Sequence, residues 1–204
     1  MKNDIKFNKA MMDTALIWST LSSCTKLKVG AIIAYNDRII SNGYNGTMSG
    51  MSNQCEEYHL TCTCGEVHIF TDTPLMKNVY DTGTSTYSTP DHNSLEFYRG
   101  IEFDNYKKEC HKCKSIMLFN KKELTVKTNE FTLHAEQNAI LDAAKHGRKL
   151  NGSTIYVTHS PCPTCAKMIA GVGIKKVVYL NDYKDDSGIE YLKRLNIEII
   201  KLGN

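Results

Sequence analysis

The chain has 204 residues, of which 41% are hydrophobic and 23% are charged, the balance of an ordinary globular protein with a full core. Its net charge is only +3 and its basic residues are scattered, so the composition gives no electrostatic footprint for duplex DNA or RNA. The first residues lack the apolar core of a signal peptide, and no apolar run approaches about 18 residues, so we expect a cytoplasmic protein without a membrane span. Eight cysteines in such a chain favour metal-bound thiolates over disulfides.

The first fifty residues predict one helix and then a β-hairpin. Apolar residues recur every three or four positions across residues 6–22, which predicts a helix with one apolar face. These residues are Phe7, Met11, Ala15, Trp18 and Leu21. The β-branched run Lys28–Tyr35 and the segment Arg38–Ser41 predict two strands joined at Asn36-Asp37. The sequence Gly43-Tyr44-Asn45-Gly46 follows, and it is either a simple turn or a ligand-facing loop at a strand end.

Between about residues 47 and 130 the apolar periodicity is lost. The centre of this stretch, Asp81–Pro90, is polar, contains Gly and Pro, and is typical of a loop. The stretch also holds many metal-binding residue types, namely Cys55, Cys62, Cys64, Cys110, Cys113, His59, His68, His92 and His111. A segment of this length without a periodic pattern needs another source of order. We therefore expect an insert that a metal stabilises.

Regular elements resume at Thr132, which we expect to be the N-cap of a helix that runs to His146 and stops at Gly147. Strands and helices then alternate, with Pro163 suited to the first turn of its helix. The predicted elements are a strand at 153–158, a helix at 163–171, a strand at 174–180, a helix at 187–195 and a strand at 197–202. This order predicts an α/β fold, with helices flanking a mixed five-stranded sheet in a single domain over residues 1–204.

Two short motifs supply one imidazole, two thiolates and a carboxylate: His134-Ala135-Glu136 and Pro161-Cys162-Pro163-Thr164-Cys165. Three nitrogen and sulfur ligands with an open fourth position are typical of catalytic zinc, whereas structural zinc has four protein ligands. Zinc can lower the pKa of a bound water to about 7, and Glu136 is close enough to His134 to move the proton. The alternative is a core histidine and a purely structural cysteine pair. The zinc site is favoured because each motif begins a predicted helix.

The pattern H-x-E with P-C-x-x-C is the signature of zinc nucleobase deaminases. The chain resembles the cytidine-deaminase superfamily and, within it, the phage-type deoxycytidylate (dCMP) deaminases. Asn138-Ala139-Ile140 favours this subgroup, because tRNA adenosine, guanine and riboflavin-pathway deaminases carry other residues there. Further similar segments are Lys28–Ala31, Gly43–Gly46, Tyr156–Thr158 and Gly173–Tyr179. The resemblance covers about residues 8–50 and 130–202 and implies a three-layer α/β/α fold.

The resemblance also implies the roles of individual residues. His134, Cys162 and Cys165 would bind the catalytic Zn²⁺. Glu136 would be the general acid/base, protonating N3 of cytosine while activated water attacks C4. The substrate-binding residues implied are Lys26 at the 5′-phosphate, Asn45 near the sugar, Asn138, and Tyr183 in the pocket. For Lys26 and Tyr183 the alternative is an ordinary surface side chain.

Members of this family are homohexamers that dCTP with Mg²⁺ activates and dTTP inhibits. On that basis Gly43, Tyr44 and Gly46 are expected near an effector site. Thr47–Gly50 replaces the usual Ser/Met-Pro after this loop, which leaves regulation open. The expected partners are small nucleotides (dCMP, dCTP and dTTP) and further copies of the chain, with no nucleic acid or membrane; a phage-encoded enzyme would act in the host cytoplasm.

The remaining cysteines allow two ligand sets for a second, structural zinc. The first follows the resemblance, because phage-type relatives hold such a zinc and two of its ligands match this chain. It consists of Cys24, Cys55, Cys110 and Cys113. The second follows from spacing alone and forms a ribbon inside the insert. It consists of Cys62, Cys64, Cys110 and Cys113.

Two further functions remain open at this stage. One is deamination of cytosine or adenine within RNA or single-stranded DNA, because the insert contains aromatic residues that could stack on bases. These are Tyr80, Tyr87, Phe97, Tyr98, Phe103 and Tyr106. The other is a zinc-ribbon interaction module on an inactive deaminase scaffold. The intact Glu136 argues against it, since a binding protein needs no proton shuttle.

Overall fold

The computed structural model describes the chain in six ranges, namely 4–48, 50–51, 53–70, 96–97, 106–119 and 123–203. The predicted loop Asp81–Pro90 and His92 lie outside these ranges. The chain divides into two compact units: residues 1–55 with 131–204, and residues 56–130. The second unit falls within the insert predicted at about 47–130. None of the described helices has both the length and the apolar character needed to cross a membrane.

The elements are numbered in chain order. The helices are α1 (Asp4–Ser19), α2 (Ala135–Lys145), α3 (Pro163–Gly171) and α4 (Ser187–Arg194). The strands of the first unit are β1 (Gly30–Tyr35), β2 (Arg38–Tyr44), β3 (Gly46–Thr47), β10 (Thr132–Leu133), β11 (Thr154–His159), β12 (Lys176–Asn181) and β13 (Glu198–Lys201). Those of the second unit are β4 (Glu56–Thr61), β5 (Val67–Phe70), β6 (Glu96–Phe97), β7 (Tyr106–Glu109), β8 (Ile116–Phe119) and β9 (Thr125–Thr128).

The first unit contains a five-stranded sheet in the order β13-β12-β11-β1-β2. β1 pairs antiparallel with β2 and with β11, whereas β11, β12 and β13 run parallel. Parallel neighbours need crossover connections, and α3 and α4 supply them. The predicted mixed five-stranded sheet is therefore confirmed.

Side chains of this sheet alternate between two apolar clusters, as the pleat of a strand requires. Ala31 and Ile33 belong to the cluster that includes residues of α2, α3 and α4. Ile32 and Ala34 belong to the cluster that includes Met12 and residues of α1. The sheet thus has helices on both faces, which confirms the predicted three-layer α/β/α arrangement.

The packing of α1 corrects one part of the predicted apolar face. Ala15 is fully buried. A Cβ at Gly30 would lie only 2.0 Å from the Ala15 carbonyl oxygen, so the glycine lets α1 approach β1 closely. Leu21, predicted to lie in the core, is 57% exposed because the helix ends at Ser19 and the chain turns away.

The second unit contains more regular structure than its sequence predicts. Its described residues form two three-stranded sheets, β5-β4-β9 and β6-β7-β8. A small apolar cluster of Leu60, Phe119 and Leu124 is buried in this unit, with Tyr58 and Met117 packed against it. The insert therefore contains strands that its apolar pattern does not predict. Its strands are short, and their outward positions include apolar residues such as Ile116 and Leu118, so the alternation that identifies a strand is blurred.

Candidate active site

His134 lies at the junction between a short strand and α2. Thr132 and Leu133 pair with Thr47 and Gly46 in β10 and β3, and the strand ends immediately before the helix. His134 is the N-cap, with extended φ and ψ of −75° and 159°, and its amide donates to Gln137 Oε1 at 2.7 Å. The predicted N-cap at Thr132 is thus wrong by two residues. The Thr132 hydroxyl instead donates a hydrogen bond to the Cys55 carbonyl oxygen at 3.3 Å.

The two cysteines occupy the start of α3. Cys162 is the N-cap, with φ −68° and ψ 166°, and Pro163 holds the first helical position, where its missing N–H has no consequence. Cys165 is fully buried one turn in. The loop before them is fixed by Ser160, whose amide donates to Asn181 O at 2.9 Å and whose hydroxyl accepts from the Tyr183 amide at 2.7 Å. Motif analysis gave no signal for Ser160 or Gln137.

The three predicted ligands converge. His134 Nδ1 lies 3.6 Å from Cys162 Sγ and 3.4 Å from Cys165 Sγ, and the three ligand atoms lie within 4.8 Å of one another. Tetrahedral zinc with Zn–N and Zn–S bonds of about 2.05 and 2.3 Å separates such nitrogen and sulfur atoms by about 3.6 Å. The donor set and its spacing therefore fit one zinc ion with a fourth position left for another ligand.

Glu136 lies one residue inside α2 and is 4% exposed. Because His134 is the N-cap and has extended backbone, the two side chains are not held to the spacing of a regular helix. Burial raises the pKa of the Glu136 carboxyl to about 7. A carboxyl with a pKa near neutrality can both accept and return a proton.

The two cysteine thiols of the site differ in pKa. The Cys165 thiol donates to the Cys162 sulfur and, together with His134, lowers the pKa of Cys162 to about 4. The same thiol–thiolate contact raises the pKa of Cys165, and hydrogen bonding to Cys162 raises the pKa of His134. Without metal, the site therefore holds a thiolate that shares protons with its neighbours. A cation that accepts all three ligands replaces those protons.

A glycine that the sequence analysis did not identify determines how closely α4 approaches this loop. A Cβ added at Gly188 would lie 2.1 Å from Pro161 O and 2.9 Å from the carbonyl carbon of Cys162. Both contacts are with backbone, which cannot rotate away. Any larger residue must therefore displace α4 or the cysteine loop.

We expect Gly188→Ala to lower stability by about 1–3 kcal/mol through overpacking and to weaken zinc retention, since the Cys162 backbone must shift. Gly171→Ala is the matched control, because nothing lies within 4 Å of that position and alanine favours a helix. Thermal melting and zinc content measure both effects. A Gly188→Ala protein that melts and holds zinc like the wild type would contradict this packing role.

Two of the predicted nucleotide contacts fix backbone in the structure. Asn45 Oδ1 accepts from the Val29 amide and its Nδ2 donates to Leu27 O, each at 2.7 Å. Asn138 Nδ2 donates to Tyr44 O at 2.7 Å. Each amide group retains further hydrogen-bonding capacity. Asn45 therefore orders the segment before β1 and Asn138 ties α2 to the end of β2, and their contact with a nucleotide stays a prediction.

Lys26 and Tyr183 lie in exposed and half-buried positions of the first unit. Tyr183 borders an open, mostly polar cavity of about 540 Å³, together with Ser160, Tyr179 and Asp182. These positions do not show whether Lys26 or Tyr183 contacts the substrate, so both contacts remain predictions.

The proposed effector residues have clear packing roles. A Cβ at Gly43 would lie 2.3 Å from Ala135 O, so this glycine lets α2 pack closely on β2. Tyr44 stacks on Trp18 with ring centroids 6.2 Å apart, and Gly46 pairs with Leu133 in β3 and β10. Packing alone explains these residues, so an effector role needs separate evidence.

The ligand set that followed from the resemblance, Cys24, Cys55, Cys110 and Cys113, must be corrected, whereas the set that followed from spacing, Cys62, Cys64, Cys110 and Cys113, lies together. Cys24 and Cys55 form a disulfide with each other, whereas Cys110 and Cys113 lie with Cys62 and Cys64. The preference for metal-bound thiolates over disulfides is therefore wrong for Cys24 and Cys55. Sequence spacing could not select among these sets, because the pairing depends on which hairpins the chain brings together.

The fold and the site define a class of protein: a three-layer α/β/α scaffold that presents His, Cys and Cys ligands with a buried glutamate is that of the zinc nucleobase deaminases. Comparison with known proteins agrees. The cytidine and deoxycytidylate deaminase zinc-binding region matches residues 5–181 of this chain. Deoxycytidylate deaminase of Enterobacteria phage T4 is 34% identical over 199 residues, covering 94% of this chain and 88% of that protein.

Solved structures give the same result. The dCMP deaminase of cyanophage S-TIM5, solved in complex with dCMP and dUMP, is 32% identical, covers 99% of each chain and superposes with a TM-score of 0.61. A deaminase/reductase of Thermotoga maritima, 18% identical with a TM-score of 0.51 over 96% of this chain and 36% of that one, shares the fold. The chain therefore belongs to the cytidine and deoxycytidylate deaminase family and, within it, to the deoxycytidylate deaminases, which are hydrolases.

Proposed function

We propose that the protein catalyses the hydrolytic deamination of dCMP to dUMP and ammonia, a reaction that supplies dUMP for dTMP synthesis in the cytoplasm. The observation that carries the proposal is the convergence of His134, Cys162 and Cys165 beside the buried Glu136. The likeness to a cyanophage dCMP deaminase solved with dCMP and dUMP supports this choice of substrate.

His134, Cys162 and Cys165 would hold the catalytic zinc, which when bound polarises water and makes it nucleophilic at neutral pH. Glu136 accepts a proton from that water at its carboxylate and delivers it to N3 of cytosine. It then carries the second proton to the departing amino group at C4. Burial of the carboxyl keeps its pKa close enough to neutrality for both transfers.

The nucleotide contacts belong to the same proposal. Asn45, in the turn after β2, and Asn138, in the first turns of α2, would orient the sugar and base while their side chains hold the neighbouring backbone in place. Tyr183, beside Ser160 and the polar cavity, would border the base. Lys26, exposed in the segment before β1, would contact the 5′-phosphate.

A substrate panel tests the assignment. Ammonia release should be fastest from dCMP and slower from CMP and deoxycytidine, because CMP carries a 2′-hydroxyl that dCMP does not have and deoxycytidine lacks the 5′-phosphate. Turnover of a cytosine-containing single strand, with none of dCMP, would replace the proposal with nucleic-acid deamination. An enzyme that releases ammonia from none of these substrates, while keeping its zinc, would contradict deamination altogether.

Regulation is the finer part of the proposal. We infer activation by dCTP with Mg²⁺ and inhibition by dTTP, acting in a homohexamer through a site near Gly43, Tyr44 and Gly46. Initial rates with each effector, measured beside sedimentation of the same samples, test this. Rates that neither nucleotide changes would remove the regulatory assignment and leave the chemistry intact.

A further inference from the structure

Four cysteines of the second unit lie outside the catalytic site. Cys62 and Cys64 lie in the turn between β4 and β5, and Cys110 and Cys113 lie in the turn between β7 and β8. The two hairpins belong to different sheets. All four sulfur atoms nonetheless lie within 4.8 Å of one another. The turns therefore meet at their cysteines.

The distances between the sulfurs suit one tetrahedral ion. Cys62 Sγ lies 3.6 Å from Cys113 Sγ, and Cys64 Sγ lies 3.7 Å from Cys110 Sγ. Zn–S bonds of about 2.3 Å place the sulfurs of a tetrahedral site about 3.8 Å apart. A disulfide needs an S–S distance of about 2.05 Å. These cysteines are free thiols in the structure, and their spacing is that of metal ligands.

The two turns differ in length by one residue but share two backbone features. The amide of Gly65 donates to Cys62 O, and the amide of Lys114 donates to Cys110 O, each at 2.9 Å. In both turns the residue after the second cysteine has positive φ, 86° at Gly65 and 61° at Lys114. This conformation is uncommon for a lysine. Each turn thus curls around its own pair of sulfurs and presents both of them to the other turn.

The unit also needs a cross-link. Its described apolar cluster buries only Leu60, Phe119 and Leu124, which is little for two sheets, and small units of this kind depend on metals or disulfides for stability. Leu60 comes from one sheet and Phe119 from the other. A metal at the hairpin turns would join the same two sheets at a second point.

We propose that Cys62, Cys64, Cys110 and Cys113 bind a structural zinc ion that joins the two sheets of the 56–130 unit. Four protein thiolates leave no open coordination position, so this ion takes no part in turnover. The site is independent of the deaminase proposal.

Zinc analysis of the purified chain tests this. The wild type should carry about two zinc ions, and Cys62→Ser should carry about one, with the catalytic ion kept. Cys24→Ser is the matched control and should keep both, because Cys24 lies in the disulfide. Cys113→His should retain the second ion, since Cys₃His is also a structural zinc set. Loss of zinc in Cys24→Ser but not in Cys62→Ser would overturn the proposal.

A substitution in the four-cysteine cluster could lose zinc simply because the protein misfolds, so a second measurement leaves all four cysteines unchanged. In Cys162→Ser, which removes a catalytic ligand, bound Co²⁺ should show the absorption of tetrahedral tetrathiolate cobalt, in a one-to-one ratio with the chain. A Cys162→Ser protein that binds no cobalt or zinc would overturn the proposal, and iron in place of zinc would overturn the assigned metal.

Discussion

Replacing Glu136 with glutamine should reduce turnover of dCMP by about 10²–10⁴-fold, the range that positioned proton transfer contributes, while zinc content and folding stay unchanged. Glutamine has nearly the same shape, and the carboxyl of Glu136 is no zinc ligand, so the zinc ligands should not shift. The amide side chain of glutamine, unlike a carboxyl group, cannot accept and release a proton at neutral pH. Single-turnover rates and zinc analysis on the same preparation measure both parts of the expectation.

The control for this substitution is Glu198→Gln, the same change at an exposed carboxylate of β13 that pairs with Lys176 at 3.2 Å. A surface pair of this kind contributes at most about 1 kcal/mol, so we expect wild-type turnover. Glu136→Gln with turnover within a few-fold of the wild type would show that another group carries the proton.

Replacing Cys165 with serine should weaken binding of the catalytic zinc by on the order of 10²–10³-fold, because it removes one of only three protein ligands, and zinc binding of about 10–16 kcal/mol in zinc-finger peptides is shared among four. The serine hydroxyl does not ionise near neutral pH and is a poor substitute for a thiolate. Turnover should fall with the bound metal and recover in part at high zinc concentration. Zinc titration against a competing chelator gives the affinity directly.

Thr164→Ser is the matched control, because it introduces serine at the neighbouring, exposed position of the same helical turn. It should keep both zinc affinity and turnover. If Cys165→Ser binds the catalytic zinc as tightly as the wild type does, Cys165 is not a ligand, and the assignment of the site fails.

The catalytic site could be predicted from sequence because its signals are local. His134 and Glu136 lie two residues apart, Cys162 and Cys165 lie three apart, and each pair begins a helix whose apolar pattern is clear. The strands and helices that carry them have a strong periodic pattern, so the predicted helix 163–171 matches α3. The start of α2 was misplaced, because the short pairing of Thr132 with Thr47 depends on distant residues.

The second unit could not be predicted because its order depends on contacts that are distant in sequence. Strands β4, β5 and β8 are only four to six residues long. Four apolar residues of β5 and β8 are exposed, namely Val67, Ile69, Ile116 and Leu118. Spacing alone allowed Cys110 and Cys113 two different partner pairs. The close approach at Gly188 has no sequence signal either, since only the packed helix gives a reason for glycine there.

The most direct test of the central claim is the conversion of dCMP by the zinc-loaded enzyme in ¹⁸O-labelled water. Hydrolytic deamination at C4 predicts dUMP with one ¹⁸O atom at O4 and one equivalent of ammonia, and Glu136→Gln should slow the formation of both products by the same factor. Unlabelled dUMP, or no dUMP from an enzyme that retains its zinc, would contradict the account.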